Sequence, residues 1–218
     1  PIRKEEVPMS YLINHFEVVA PLFLQHVQLT LTVLFFSLLI GVPLGLLLAR
    51  VAWLRGPVMS VLGVIYTIPS LSLFVLLIPL FGLGTRPAVV ALTAYAQLLL
   101  VRNWLVGLTT IDPAIIEAAR GMGMNGWQRF WQVELPLAMP MLLAGIRLVS
   151  LSSIGIGMIA AFINAGGLGL LLFQGVTTAN YDTIFAGGVA ASVLSFSANF
   201  LLRYLERRAE NVIRGKTA

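Results

Sequence analysis

An all-α integral membrane protein with about five transmembrane helices is predicted by three features of the sequence: apolar runs as long as a bilayer is thick, very few charges inside them, and Lys and Arg gathered in alternate connections. Of 218 residues, 58% are hydrophobic and 11% charged, and the mean hydropathy is +0.92. A soluble domain carries about a quarter charged residues. A water-soluble fold is therefore excluded, and a separate folded catalytic domain has no room. The net charge of +5 does not mark a nucleic-acid surface, because the basic residues flank apolar segments and are not interleaved with aromatics on one polar face. There is no cysteine, which removes disulfides and thiolate metal sites. His15 and His26 are the only histidines; at about three helical turns apart they read as polar surface residues, and no metal site is expected.

Crossing roughly 30 Å of hydrocarbon takes about 20 helical residues. Five segments qualify, near residues 27–50, 58–81, 87–109, 137–163 and 183–204. The first continues past signal-peptide length with no A-x-A cleavage pattern, so it is read as a retained span. Arg50 and Arg55 follow span one, Arg120 and Arg129 lie between spans three and four, and Arg203, Arg207, Arg208, Arg214 and Lys216 follow span five. By the positive-inside rule these connections face the cytoplasm. The alternate ones carry only Arg86, and none from residue 164 to 182, so they face outward. Arg3 and Lys4 oppose this mildly beside Glu5 and Glu6. The chain thus divides into an N-terminal extracytoplasmic segment (1–26), a membrane domain (27–208) with a cytoplasmic loop at 112–136, and a cytoplasmic tail (209–218).

The cytoplasmic loop has its own local logic. Asp112-Pro113 is a helix start: the carboxylate accepts from exposed N–H groups, and proline suits the first helical position. The helix should run to about Met122, with Ile115, Ile116, Ala119 and Met122 on one apolar face, and Gly121 and Gly123 suited to ending it. A second helix starts at Asn125 with Gln128 as capping-box partner. It places Trp127, Phe130 and Trp131 on one side, beside Arg129, as suits a membrane interface.

Three further groups stand out. Span two holds Tyr66, Thr67, Pro69, Ser70 and Ser72 within about two turns, and Pro69 should kink it and free the carbonyl of Ile65. This reads either as a break lining a pathway or as a kink satisfied within the bundle. Arg102, with Asn103 beside it, and Arg147 sit roughly 15 Å above the cytoplasmic loop. No acidic residue lies inside a span, so each arginine should face a watery cavity, a carbonyl cluster or the interface. The outer stretch 164–182 begins with Asn164, carries Gly166, Gly167 and Gly169, and then an apolar run too short to cross. It reads as an external gate or as an immobile interfacial helix.

Glu117-Ala118-Ala119, then Gly123, then Val133-Glu134-Leu135-Pro136 resembles the EAA loop of bacterial ABC importer permeases, with Val133 in place of isoleucine. Thr30-Leu31-Thr32, the tract Gly41-Val42-Pro43-Leu44-Gly45, Thr67-Ile68-Pro69-Ser70, Arg102-Asn103, Ala144-Gly145-Ile146-Arg147 and Gly166-Gly167-Leu168-Gly169 are similar to the osmoprotectant branch, which imports glycine betaine, choline and carnitine. Tyr66 departs from the glutamine expected there, and Asn164-Ala165 interrupts a more glycine-rich loop. The resemblance implies a methionine-permease-like helical bundle in the bacterial inner membrane. It pairs with a second permease copy or a related permease, two cytoplasmic ATPase subunits and an extracytoplasmic substrate-binding protein. It also implies that Glu117, Ala118, Ala119 and Gly123 couple the chain to the ATPase. Tyr66, Thr67, Pro69, Ser70, Arg102, Asn103 and Arg147 would line the pathway, and Asn164, Gly166, Gly167 and Gly169 would form the outer gate. No cofactor would be bound by this chain, since ATP and Mg belong to the ATPase.

The Gly215-Lys216-Thr217 tract is not a Walker A loop, because Glu210 stands where its first glycine is needed. The chain is therefore read as a non-catalytic transport subunit. The alternatives are an amino-acid permease of the methionine type, or a self-contained channel or secondary carrier. The latter two would carry intramembrane acidic residues or histidines, or a filter-like repeat. The topology has a direct check: a single cysteine at Asn125 should be labelled only from the cytoplasmic side and one at Thr178 only from outside, and the reverse pattern would sink the assignment.

Overall fold

The structure is a computed structural model that describes residues 14–213. The charged residues Arg3 to Glu6 and the Gly215-Lys216-Thr217 tract lie outside the described residues. In chain order the helices are α1 (Phe16–Arg50), α2 (Ala52–Thr67), α3 (Ser70–Phe81), α4 (Thr85–Thr109), α5 (Pro113–Gly121) and α6 (Gly126–Arg129). A π-helical segment (Phe130–Glu134) joins α6 to α7 (Leu135–Gly157), and a 3₁₀ turn (Ile159–Ile163) leads to α8 (Gly169–Thr177) and α9 (Tyr181–Ile213).

Among the described residues, four helices are long and apolar enough to cross a membrane: α1, α4, the continuous Gly126–Gly157 helix and α9. The fifth crossing is the pair α2–α3, which is bent by 96°. Hydrogen bonds at its two ends show that it runs from one end of the bundle to the other. Where α2 begins, Arg55 donates to the carbonyls of Leu48 and Ala49 (2.8 and 2.9 Å), at the same end where Arg50 meets Glu134. Just past α3, the Gly84 N–H donates to the Ile163 carbonyl at 2.8 Å, beyond the opposite end of α7. The pair therefore starts at the basic end of the bundle and finishes at the far end. The number of spans expected from the sequence holds, but the second is broken rather than kinked.

Helix α4 is the centre of the bundle. In lipid, apolar burial does not drive helices together, so close approach through small residues does. On α1, Gly41 and Gly45 supply it: a Cβ at Gly41 would lie 2.7 Å from Leu100 and one at Gly45 2.8 Å from Trp104. On the other side of α4, Gly145 of α7 faces Asn103, and Gly107 faces Met141 and Ala138. Leu100, Trp104, Ala138, Leu142 and Val149 are buried in the seam that results. Phe35, Leu39, Phe196 and Phe200 point outward, as lipid-facing side chains of a spanning bundle do.

Two expectations are corrected here. The first helix starts at Phe16, well before residue 27, so much of the expected extracytoplasmic segment is helical. His26 is then mid-helix and fully buried, not a surface residue, and its Nε2 lies 3.1 Å from the carbonyl of Ile154. Among the buried positions of α1 the small and polar ones, His26, Thr30, Ser37, Gly41 and Gly45, form one stripe at helical spacing that carries His26 into the interior.

The seam at Gly45 predicts a cost for added bulk. Gly45→Leu should destabilise the bundle by about 1–3 kcal/mol through overpacking, lowering the melting temperature in detergent by several degrees. Gly63→Leu, where a Cβ meets nothing within 4 Å, should leave it nearly unchanged; equal shifts would refute the seam as the reason.

Candidate coupling and translocation site

At the basic end, the loop between α4 and α7 is built by caps. Asp112 Oδ1 accepts from the Ala114 N–H at 2.9 Å. Asn125 and Gln128 exchange reciprocal side chain to backbone bonds at 2.9 and 3.0 Å, a full capping box. Between them the chain reverses through Gly123, whose φ of +83° is a left-handed conformation that favours glycine. The reversal is closed by bonds from Gly123 N–H to the Arg120 carbonyl and from Met124 N–H to the Ala119 carbonyl. Trp127 and Phe130 both pack edge-on against Trp131.

The faces of α5 differ from expectation in one respect. Ile115, Glu117, Ala118 and Met122 are exposed, whereas Ala119 is 1% exposed, buried against its own chain where α5 packs on α6 and the π segment. Glu117 and Ala118 thus lie on the exposed face of α5 and Ala119 on its packed face. Beneath α5 lies a cleft of about 170 Å³ whose walls include Arg50, Ile116, Arg120, Arg129 and Glu134. Glu134 is held from two sides, by Arg129 Nε on Oε1 at 2.7 Å and by Arg50 Nη2 on Oε2 at 3.0 Å. Sequence reasoning assigned no role to Glu134, and its two partners are remote from each other in the chain.

The break in span two falls between Thr67 and Ser70. The expected free carbonyl at Ile65 is instead taken by the Ile68 N–H at 3.2 Å. The carbonyl that needs a partner from another helix is that of Ile68, which accepts from the Tyr95 hydroxyl. This correction follows from Ile68 turning extended (ψ 129°), which shifts the lost acceptor along the chain. The Tyr66 ring packs edge-on against Tyr95 at 5.8 Å. Thr67 and Pro69 are exposed, and Ser70 is half-buried.

Arg102, Asn103 and Arg147 lie at one level, where Asn103 meets Gly145. On α4 this is eight residues past Tyr95, or about 12 Å along the axis, so they do not join the Tyr66 to Ser70 group in one cluster. Arg102 is exposed, and Asn103 donates to the Leu99 carbonyl at 2.8 Å. Arg147 has the partner that the sequence seemed to deny it: its Nε donates to Glu206 Oε2 at 2.9 Å. Glu206 lies beyond the expected end of span five, but α9 continues as one helix to Ile213 and brings it alongside α7.

At the far end, Asn164 (φ 62°), Gly166 (φ +79°) and Gly167 (φ +77°) turn the chain. Gln25 Oε1 accepts from the Gly167 N–H at 3.2 Å, and a Cβ on Gly167 would lie 2.8 Å from His26 Nδ1. At Gly169 an added Cβ would sit 2.0 Å from the Met158 carbonyl oxygen, so no other residue fits there. The predicted outer residues are therefore brought together, on a surface supplied by Gln25 and His26, which were missed. They adjoin a cavity of about 570 Å³ of mixed lining, with Gln25, Gln28, Thr32 and Asn164 beside Leu29 and Val89.

The profile of the "Binding-protein-dependent transport system inner membrane component" family matches residues 41–211. The chain is 40% identical over 203 residues to the osmoprotectant import permease protein OsmW of Salmonella typhimurium, covering 91% of this chain and 94% of that one. It is 37% identical to the carnitine transport permease protein OpuCB of Listeria monocytogenes over 84% of each chain. Among solved structures, an inward-facing form of the MetNI methionine ABC transporter superposes with a TM-score of 0.80 at 26% identity, covering 94% of this chain and 99% of that one. An all-α bundle with a broken second span, a capped loop at its basic end and a match across most of the chain lead to one conclusion: the chain belongs to the family of inner-membrane components of binding-protein-dependent transport systems.

Proposed function

We propose that this chain is the permease subunit of an ATP-driven importer of osmoprotectants, small quaternary amines such as glycine betaine, choline or carnitine. The observation that carries the cargo is the similarity over nine tenths of both chains to an osmoprotectant import permease. The coupling role rests on the exposed Glu117 and Ala118, on a helix fixed by caps at each end and by buried Ala119. In this reading the basic end is cytoplasmic, with the N-terminus outside and the C-terminus inside. Two permeases flank a central pathway, two ATPases dock on α5, and an external protein delivers cargo. ATP and Mg are bound by the ATPases, and this chain performs no chemistry. ATP-driven closure moves α5, and the spans reorient between two states whose populations the nucleotide shifts.

Cargo selection is assigned chiefly to the binding protein, since a quaternary ammonium is held by cation–π attraction in an aromatic cage. The cavity at the far end mixes amide and hydroxyl groups with aliphatic side chains such as Leu29 and Val89, and has no aromatic side chain among its lining residues with which to build such a cage. A methionine-type importer is the second reading, favoured by the likeness to MetNI; the higher identity to the osmoprotectant and carnitine permeases weighs against it.

Reconstituted with its ATPase and binding protein, the chain should take up a quaternary amine in an ATP-dependent manner, with competition by other quaternary amines and none by methionine. Competition by methionine alone would replace the cargo assignment, and uptake driven by a proton gradient without an ATPase would overturn the importer reading. Ala119→Trp should lift α5 off the π segment. Gly123→Val should strain the reversal by about 1–2 kcal/mol of backbone energy, since space for its side chain is open. A docking contact worth ~3 kcal/mol, if lost, weakens ATPase association by roughly two orders of magnitude. Co-purification of both variants at the wild-type level would remove α5 from the coupling role.

A further inference from the structure

We propose that Glu134 is a positioning residue, a two-armed ionic joint through which movement of α5 is carried into the first span; the proposal rests on the importer reading above. Both carboxylate oxygens are engaged, each by a different arginine: Oε1 by Arg129 of the loop and Oε2 by Arg50 at the last turn of α1. Charge-assisted bonds of this kind are directional as well as strong.

The π segment makes the joint possible. Residues five apart on an ordinary α-helix are about 140° apart around its axis, which would turn Glu134 away from Arg129. A π turn closes on the fifth residue and stacks the two. The segment Phe130–Glu134 thus occupies the place where the wider turn is needed for Arg129 Nε to reach Glu134 Oε1.

The two arms are unequal. The side chains of Glu134 and Arg129 are each 13% exposed, whereas that of Arg50 is 53% exposed. The sheltered arm makes Glu134 part of the loop, which α5 contacts from above through Ala119; the open arm reaches across to another span. That span is fastened at its other end too, where Gln25 accepts from Gly167 and His26 Nε2 lies against the Ile154 carbonyl. Between the two ends, Gly41 and Gly45 seat it on α4. Helix α1, one continuous helix from Phe16 to Arg50, therefore connects the ATPase-facing loop to the far-end loop, with Glu134 at its driven end.

The test uses the complete complex in nanodiscs with its ATPase and binding protein, and exploits the absence of native cysteine. Glu134→Gln, and separately Arg50→Ala at the exposed arm, should retain ATPase co-purification. Hydrolysis stimulated by loaded binding protein should fall about tenfold, as expected for losing one charge-assisted bond, with less cargo moved per ATP. The pair Arg50→Cys and Glu134→Cys should be equally uncoupled, and joining it with a short bismaleimide should restore stimulation to within about twofold of wild type. The joint is refuted by wild-type stimulation in the single variants or the unlinked pair, by failure of the cross-link to restore it, or by loss of ATPase association in the variants. A wild-type complex that shows no stimulated hydrolysis would instead refute the importer reading.

Discussion

Lipid tails are as apolar as leucine, so this bundle is not held by hiding greasy surface. It is held by how closely α1 and α4 approach at Gly41 and Gly45. At those two positions a helix backbone lies against Leu100 and the Cβ of Trp104 with no side chain between them, and dispersion contacts accumulate along the seam. The same helix α4 then meets α7 through Gly107 and Gly145. With α4 gripped on both sides, Arg102, Asn103 and Arg147 are brought to one level and Tyr95 is aimed at the elbow of the second span. Loosening the seam would disturb each of these at once.

A second constraint is the need to pair backbone polar groups away from water. At the elbow the Thr67 hydroxyl and the Ile68 N–H meet the carbonyls of Val64 and Ile65, and the Tyr95 hydroxyl meets that of Ile68. At the far end, the 3₁₀ turn and the glycine-rich reversal have their freed N–H and C=O groups met by Gln25, by Gly84 and by local turns. Irregular backbone is thus confined to places where a neighbouring helix carries a matching group.

What was legible in the sequence follows from local rules. The apolar lengths, the Asp112 cap and the Asn125–Gln128 box all depend on residues close in the chain, and the structure has each of them. What was illegible needed long-range partners. The carbonyl of Ile68, and not that of Ile65, takes its donor from another helix, because the break is sharper than a proline kink. Glu206 reaches Arg147 only because α9 outlasts its apolar run. Glu134 gains Arg129 through a π turn, which hydropathy does not register. His26 was the one readable miss: it falls in the stripe with Thr30, Ser37, Gly41 and Gly45, and in a membrane helix the small and polar stripe is the one that faces other helices.

The π segment also has a bearing on how such chains are compared with one another. It closes its hydrogen bonds one residue later than the α-helix on either side, so it behaves as an insertion that leaves both flanks in their own phase. Remove a single residue between Phe130 and Glu134 and the wide turn closes to an ordinary α turn, while α7 keeps Gly145 on Asn103 and α6 keeps its direction. A relative lacking that residue would align well on both sides of a one-position gap and present the same loop to the same partner.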